Sequence, residues 1–143
     1  MDYLKVLVEE IHSVVVATVD ETGHPHTAVM DMMWEDGKTV YFLTADFKPL
    51  YKRLKEDGRV AVTGMTQGAG TMDRKSISLT GQVGWIGKEH LEELLKANPY
   101  MYEIYPTEEG RSHLQVFRFK NAVGNFYYLT QLPPYQARFE IEG

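Results

Sequence analysis

The chain has 143 residues, 43% of them hydrophobic and 24% charged, and 15 Lys and Arg against 20 Asp and Glu give a net charge of −5. The absence of cysteine excludes a disulfide framework, a thiol nucleophile, an iron–sulfur cluster and a cysteine-based zinc site. The acidic balance argues against nonspecific nucleic-acid binding, and no apolar run approaches the ~20 residues of a membrane span.

The opening Met1-Asp2-Tyr3-Leu4-Lys5 does not read as a signal peptide. A soluble, cytoplasmic, single domain over residues 1–143 is therefore expected, and any redox group has to come from outside the chain. Asp2 is placed to cap a short helix carrying Leu4, Leu7, Val8 and Ile11 on one face. Ser13 to Val19 is a β-branched run and reads as a buried strand. The turn Asp20-Glu21-Thr22-Gly23 leads into a second strand, His26 to Trp34, and Glu35-Asp36-Gly37-Lys38 into a third, Thr39 to Thr44. Such short connections predict a meander.

Asp46 reads as the N-cap of a helix with Pro49 and Lys48 in its first turn, ended by Gly58. Arg59 to Met65 is a fourth strand, and Gln67 to Asp73 is a glycine-rich loop. Lys75 to Trp85 alternates as a strand does, with Ile77, Leu79, Gly81, Val83 and Trp85 on one face. Lys88 to Ala97 is a helix stopped by Asn98-Pro99. Residues 100–111 read as irregular, His113 to Phe119 and Ala122 to Leu129 as two strands meeting at Lys120-Asn121, and the tail around Pro133-Pro134 as extended. Six or seven strands with short helices between them predict a mainly β fold, a small antiparallel barrel that limits exposed edges.

His24 and His26 flank Pro25 and could grip a metal, but no second imidazole stands at ligand spacing, and an exposed turn is the expectation. No G-x-S-x-G elbow is present, and Ser112 and His113 are adjacent, so a hydrolase triad has no support. Gly64, Gly68 and Gly70 fit neither phosphate-loop pattern; they read as a hairpin loop or as a lid. The stretch Tyr41-Phe42-Leu43-Thr44-Ala45-Asp46-Phe47-Lys48-Pro49 carries more. Unpaired amides at a helix start beside a lysine suit a phosphate, and a lysine there opposes the helix dipole unless an anion binds. A solvated lysine is the alternative.

In this order and spacing the elements resemble the flavin mononucleotide (FMN)-binding split-barrel proteins related to pyridoxamine 5′-phosphate oxidase. The resemblance runs from the first helix to about Phe126. It is carried by Ala17-Thr18-Val19-Asp20 through Gly23-His24-Pro25-His26, by Tyr41-Phe42-Leu43-Thr44 with Lys48, by Arg59-Val60-Ala61-Val62, and by Ser78-Leu79-Thr80-Gly81-Gln82-Val83. Ala97 to Tyr102 and the terminal strand pair are similar to the branch of nitroimidazole-resistance-type proteins. The resemblance implies a split barrel and a homodimer with FMN held between two barrels. It implies Lys48 at the phosphate, Thr44 with the Leu43 and Ala45 backbone beside the cofactor, and Val29, Met30 and Asp31 on the flavin-facing wall. By their own pattern, Met30, Met32 and Met33 could equally be core.

Two departures from the oxidases proper bear on the reaction. His26-Thr27-Ala28-Val29 stands where they carry an arginine, and Phe47 replaces the arginine of their serine-arginine-lysine run. Oxidation of pyridoxamine phosphate itself is not expected. Arg74 and Lys75 could add charge from a partner strand, and Arg111, Ser112 and His113 could approach the groove. Tyr102, Tyr105, Trp85 or His113 could shape or protonate an acceptor. The implied function is a small oxidoreductase passing hydride or electrons from a small-molecule donor through flavin to a small acceptor. A flavin-storing module, or a barrel holding haem or a deazaflavin, remains open.

Overall fold

The computed structural model describes residues 1–68 and 70–143. Asp2 caps helix α1 (Tyr3–Lys5), its carboxylate accepting from the Lys5 amide, and the turn runs on as a π-helical stretch, Val6–Ile11. Then come strands β1 (Ser13–Val19), β2 (Pro25–Asp31), β3 (Trp34–Glu35) and β4 (Val40–Ala45), helix α2 (Pro49–Glu56), and β5 (Arg59–Met65). A 3-10 turn at Thr71–Asp73 precedes β6 (Lys75–Gly87). Helices α3 (Leu91–Ala97), α4 (Met101–Ile104) and α5 (Glu108–Arg111) lead to β7 (Leu114–Tyr128) and β8 (Tyr135–Glu142).

All strand pairs are antiparallel, and the sheet runs β2-β1-β5-β6-β7-β4-β3 with β8 added to β7. It curls around a core in which Phe42, Phe117, Phe119 and Phe126 are fully buried. Phe42 stacks on Phe117 at 5.8 Å between centroids. A second apolar cluster lies on the outer face of β4, where Tyr41, Leu43 and Ala45 meet Leu94, Leu95 and Met101 of the helices. Both faces of β4 are thus covered, which is why Val40 to Ala45 is apolar nearly throughout.

The expected meander does not form. β1 and β2 make a hairpin, but β4 pairs with β7 rather than β2, so the curled sheet is left split between β2 and β4. The predicted second strand stops at Asp31 because Met32 and Met33 turn their amides to His12 and Tyr41. The predicted break at Lys120-Asn121 is a bulge rather than a turn: Gln82 pairs with Asn121 and Val83 with Phe119, so β7 runs on as one strand with Lys120 as an extra residue. There Gly81 sits against β7, where a Cβ would lie 2.1 Å from the Asn121 carbonyl oxygen. The third helix begins at Leu91 rather than Lys88, since Gly87 and His90 take left-handed backbone angles first. Residues 100–111 hold two single-turn helices, the second capped by the Thr107 hydroxyl. The tail, expected to be merely extended, supplies β8, whose Ala137, Phe139 and Ile141 turn toward the core.

Candidate functional site

The split between β2 and β4 follows from hydrogen-bond alternation. Met32 N–H bonds the His12 carbonyl on the β1 side, so the backbone groups of Val29 and Asp31 point the other way, away from the sheet. On the facing strand the Tyr41 carbonyl accepts from Met33 N–H on the β3 side, which turns the backbone groups of Leu43 and Ala45 toward β2. β3 ends at Glu35 and pairs only with Val40 and Tyr41. The two free edges therefore face each other across a groove of about 260 Å³. The Ala45 carbonyl is taken by the Lys48 amide at 3.1 Å.

All seven residues expected beside a cofactor line this groove: Val29, Met30 and Asp31 from β2, Leu43, Thr44 and Ala45 from β4, and Lys48 ahead of α2. Val29 projects outward, 75% exposed, while Met30 turns into the core. Met32 and Met33 are buried as well, and only Met33 reaches the groove. Lys48 itself is the N-cap residue of α2, exposed and without a side-chain capping bond, and Pro49 opens the helix. Its ammonium stands at the positive end of the helix dipole, an arrangement that an anion would relieve.

Asp46 does not cap α2. Its carboxylate accepts from His113 Nδ1 at 2.9 Å and from Gln115 Nε2 at 3.2 Å, tying the end of β4 to β7. The His113 hydrogen bond holds the Asp46 carboxyl below the usual carboxylate range, against a smaller opposing effect of burial. Burial pushes the Lys88 ammonium down, and Asp46 partly offsets it. Lys88 donates to the Ser112 and Leu114 carbonyls.

Apart from Tyr105, sequence reasoning missed the far wall of the groove. Met101, Ile104 and Tyr105 of α4 and its C-cap close it, together with Met33, Leu50 and Leu114. The i, i+3, i+4 spacing of Met101, Ile104 and Tyr105 is the signal that marks a helical turn in residues otherwise read as irregular. Also missed was a polar chain behind the β2 wall. Asp31 accepts from Ser13 Oγ at 2.7 Å and from Tyr100 Oη at 2.6 Å, and His12 Nε2 lies 2.8 Å from that same hydroxyl. Burial, then the Asp31 hydrogen bond, raise Tyr100 well above the usual tyrosine range.

The other candidates lie elsewhere. His26 Nε2 bonds Asp20 at 2.8 Å within the β1–β2 turn, and among the described residues no group of three or more His, Asp or Glu could hold a metal. Lys75 is engaged with Glu10 at 2.7 Å. Arg74 lines a neighbouring recess of about 390 Å³ with Ser13, Val15 and Met65, and that recess meets the groove at Val29. Gly64 and Gly68 line it too. The glycine-rich loop includes residue 69, outside the described residues. Arg111 donates to the Tyr105 carbonyl and covers the Tyr102 ring. Trp85 donates to Gln115. Of the residues considered for an acceptor, Tyr105 alone lines the groove.

A family model described as pyridoxamine 5′-phosphate oxidase matches residues 2–128. No curated protein matches the chain. Among solved structures, a NimC/NimA family protein from Clostridium acetobutylicum is similar, with a TM-score of 0.76 and 20% identity over 98% of this chain and 95% of that one. A heme binding protein from Mycobacterium smegmatis has a TM-score of 0.72 and 12% identity over 95% of this chain and 56% of that one. A FAD-binding protein from Mesorhizobium loti has a TM-score of 0.64 and 16% identity, covering 80% and 83%. At these identities the likeness is one of fold.

Proposed function

The chain belongs to the pyridoxamine 5′-phosphate oxidase family, and on that premise we propose that it binds FMN in the groove between β2 and β4 and works as a small flavin-dependent oxidoreductase. The observation that carries the reading is the meeting of seven residues from three elements on one groove, between the unpaired edges of β2 and β4. The free amides and carbonyls of Val29, Asp31 and Leu43, with the Ala45 amide, are suited to the donor and acceptor edge of a flavin ring. Lys48 and the start of α2 are suited to its phosphate. Bound flavin supplies hydride or single-electron transfer; the chain's own residues bind and orient it and cover one side.

A groove of about 260 Å³ is smaller than the roughly 300–1,000 Å³ usual for a ligand pocket of this kind. One chain therefore offers part of a site, which supports a homodimer with the cofactor between protomers. The outer face of the sheet supports it too. Val29, Val15 and Thr63 lie in one row across β2, β1 and β5, and Thr27, Ala17, Ala61 and Thr80 in the next, without a charge among them. A face of that kind is unusual on a monomer and suits a second copy.

The test is a titration of purified protein with FMN, riboflavin, FAD, haem and a deazaflavin, followed by flavin fluorescence or absorption. Saturable binding of FMN, tighter than riboflavin, is the expected result. Preference for haem or the deazaflavin would replace the reading. Bleaching of bound FMN by a reduced nicotinamide, with recovery on adding an acceptor, separates an oxidoreductase from a flavin store.

A further inference from the structure

The ladder between β1 and β5 ends at Val15–Thr63, although β1 reaches back to Ser13 and β5 runs on to Met65. Each of those strand ends stays paired on its other side, Ser13 with Asp31 and Met65 with Ser76. The ends left unpaired border the recess of about 390 Å³ that joins the groove at Val29. Val15, Val29 and Met65 give it an exposed apolar wall. Arg74 is the one charged residue lining it among the described residues.

Arg74 lacks the oxygen partner that other basic residues have. Arg53, Arg59, Arg111 and Arg138 each donate to an oxygen, and neighbouring Lys75 takes Glu10. The Arg74 Nη1 donates to the Met65 sulfur at 3.5 Å, and its Nε is buried with no acceptor among the described residues. Thioether sulfur is a weak acceptor, and a buried donor without a partner is destabilising. A guanidinium is always charged, and its planar fork matches the two oxygens of a carboxylate. One such charge balances a monoanion; a phosphate dianion calls for more cations than the recess offers. Thr66 adds a donor, since its hydroxyl accepts from the Lys75 amide and keeps its own hydrogen to give.

We propose that this recess is a carboxylate subsite beside the groove, where Arg74 holds the carboxylate of a small organic acid whose apolar body lies over Val15 toward Val29. That this acid is the acceptor of a flavin rests on the function proposed above; the anion site does not. Anchored at Arg74, the body of the acid ends at the edge of the groove, in place to meet what the groove holds. The subsite is separate from Lys48, which lines the groove and not the recess. Val15, Val29 and Thr63 belong to the row suited to a second copy of the chain, so a dimer formed through that face roofs the recess as it does the groove. The selection is of small organic acids over their neutral amides.

The test is a ligand-observed NMR titration of benzoate, benzamide and inorganic phosphate against flavin-free and FMN-loaded protein, in wild type, Arg74→Gln and Arg74→Lys. Benzoate should bind wild type saturably, and benzamide and phosphate roughly tenfold more weakly or worse. Arg74→Gln should lose benzoate by a similar factor, and Arg74→Lys, a point charge without the fork, should fall between the two. Two variants keep the test decisive should one fail to fold. In FMN-loaded wild type, benzoate should shift the flavin absorption, and in Arg74→Gln it should not. Benzoate bound equally by wild type and both variants overturns the subsite, as does benzamide or phosphate bound as tightly as benzoate. No benzoate binding at tens of millimolar also overturns it and leaves the acceptor for Arg74 to a second copy of the chain. FMN weakened in Arg74→Gln with riboflavin unchanged would assign Arg74 to the flavin phosphate and refute the proposal. Benzoate bound with no response from bound FMN would refute the subsite's place beside the flavin. Failure to bind FMN at all would sink the function proposed above while leaving the flavin-free titration to decide the anion site.

Discussion

Replacing Lys48 by alanine isolates the contribution of one charge. Lys48 is exposed, ahead of α2, and caps it without a side-chain hydrogen bond. Removing it therefore leaves no buried group unpaired, and it takes a cation off the positive end of the helix, an arrangement that costs about 0.3–1 kcal/mol. The flavin-free variant should be as stable as wild type or slightly more so. Against a phosphate, a charge-assisted hydrogen bond contributes about 1.5–3 kcal/mol, and exposure places Lys48 toward the lower figure. At about 1.4 kcal/mol per factor of ten, FMN should bind roughly tenfold more weakly, and up to a hundredfold at low salt. Riboflavin, without the phosphate, should bind Lys48→Ala as it binds wild type. Paired titrations by flavin fluorescence measure both constants. Equal losses for the two flavins would refute the assignment of Lys48 to the phosphate.

Further outcomes follow from other parts of the fold. Asp20 is held below the usual carboxylate range, first by the His26 hydrogen bond, and Asp57 at about 2 by Arg59. Depressed values mean stability that is present above an unfolded carboxyl near pH 4 and is lost as pH falls through the folded values. Circular dichroism should thus show acid unfolding below pH 4, and Asp20→Asn should flatten that dependence; a wild-type midpoint near pH 5 would contradict it. Gly81→Ala pushes a Cβ to 2.1 Å from the Asn121 oxygen, against backbone that cannot yield as a flexible side chain would. A loss of about 3 kcal/mol or more should lower Tm by about 10 °C, and an unchanged Tm would show that β6 and β7 separate there freely. Ala61→Glu puts a charge in the middle of the uncharged sheet face. Sedimentation should show it shifted toward monomer with weaker FMN binding; a dimer of wild-type strength would move the interface elsewhere.

What the sequence discloses divides along local and non-local lines. β1 and β5 are read residue for residue, since a short run rich in valine and threonine and flanked by turn residues needs no partner to be recognised. Lys48 stands out because its charge opposes the helix it precedes. The pairing of β4 with β7 is a different matter: it joins residues some seventy apart, and nothing in Val40 to Ala45 names its neighbour. The split that makes the groove depends on that pairing, so the resemblance supplied the seven residues and the topology explains why they meet. The same holds for Asp46, whose cap-like position is overridden by donors from β7, and for Tyr100, which reaches Asp31 across sixty-nine positions. Local chemistry was legible; contacts closed by the tertiary fold were not.

The central claim is that the groove between β2 and β4 is a flavin site. It is tested most directly by a crystal structure of the protein grown with FMN. The account predicts a flavin ring along the free edges of Val29 to Asp31 and Leu43 to Ala45, its phosphate at Lys48 and the start of α2, and a second copy of the chain covering the other side. Flavin bound away from that groove, or a groove that stays closed to FMN at saturating concentration, would contradict it.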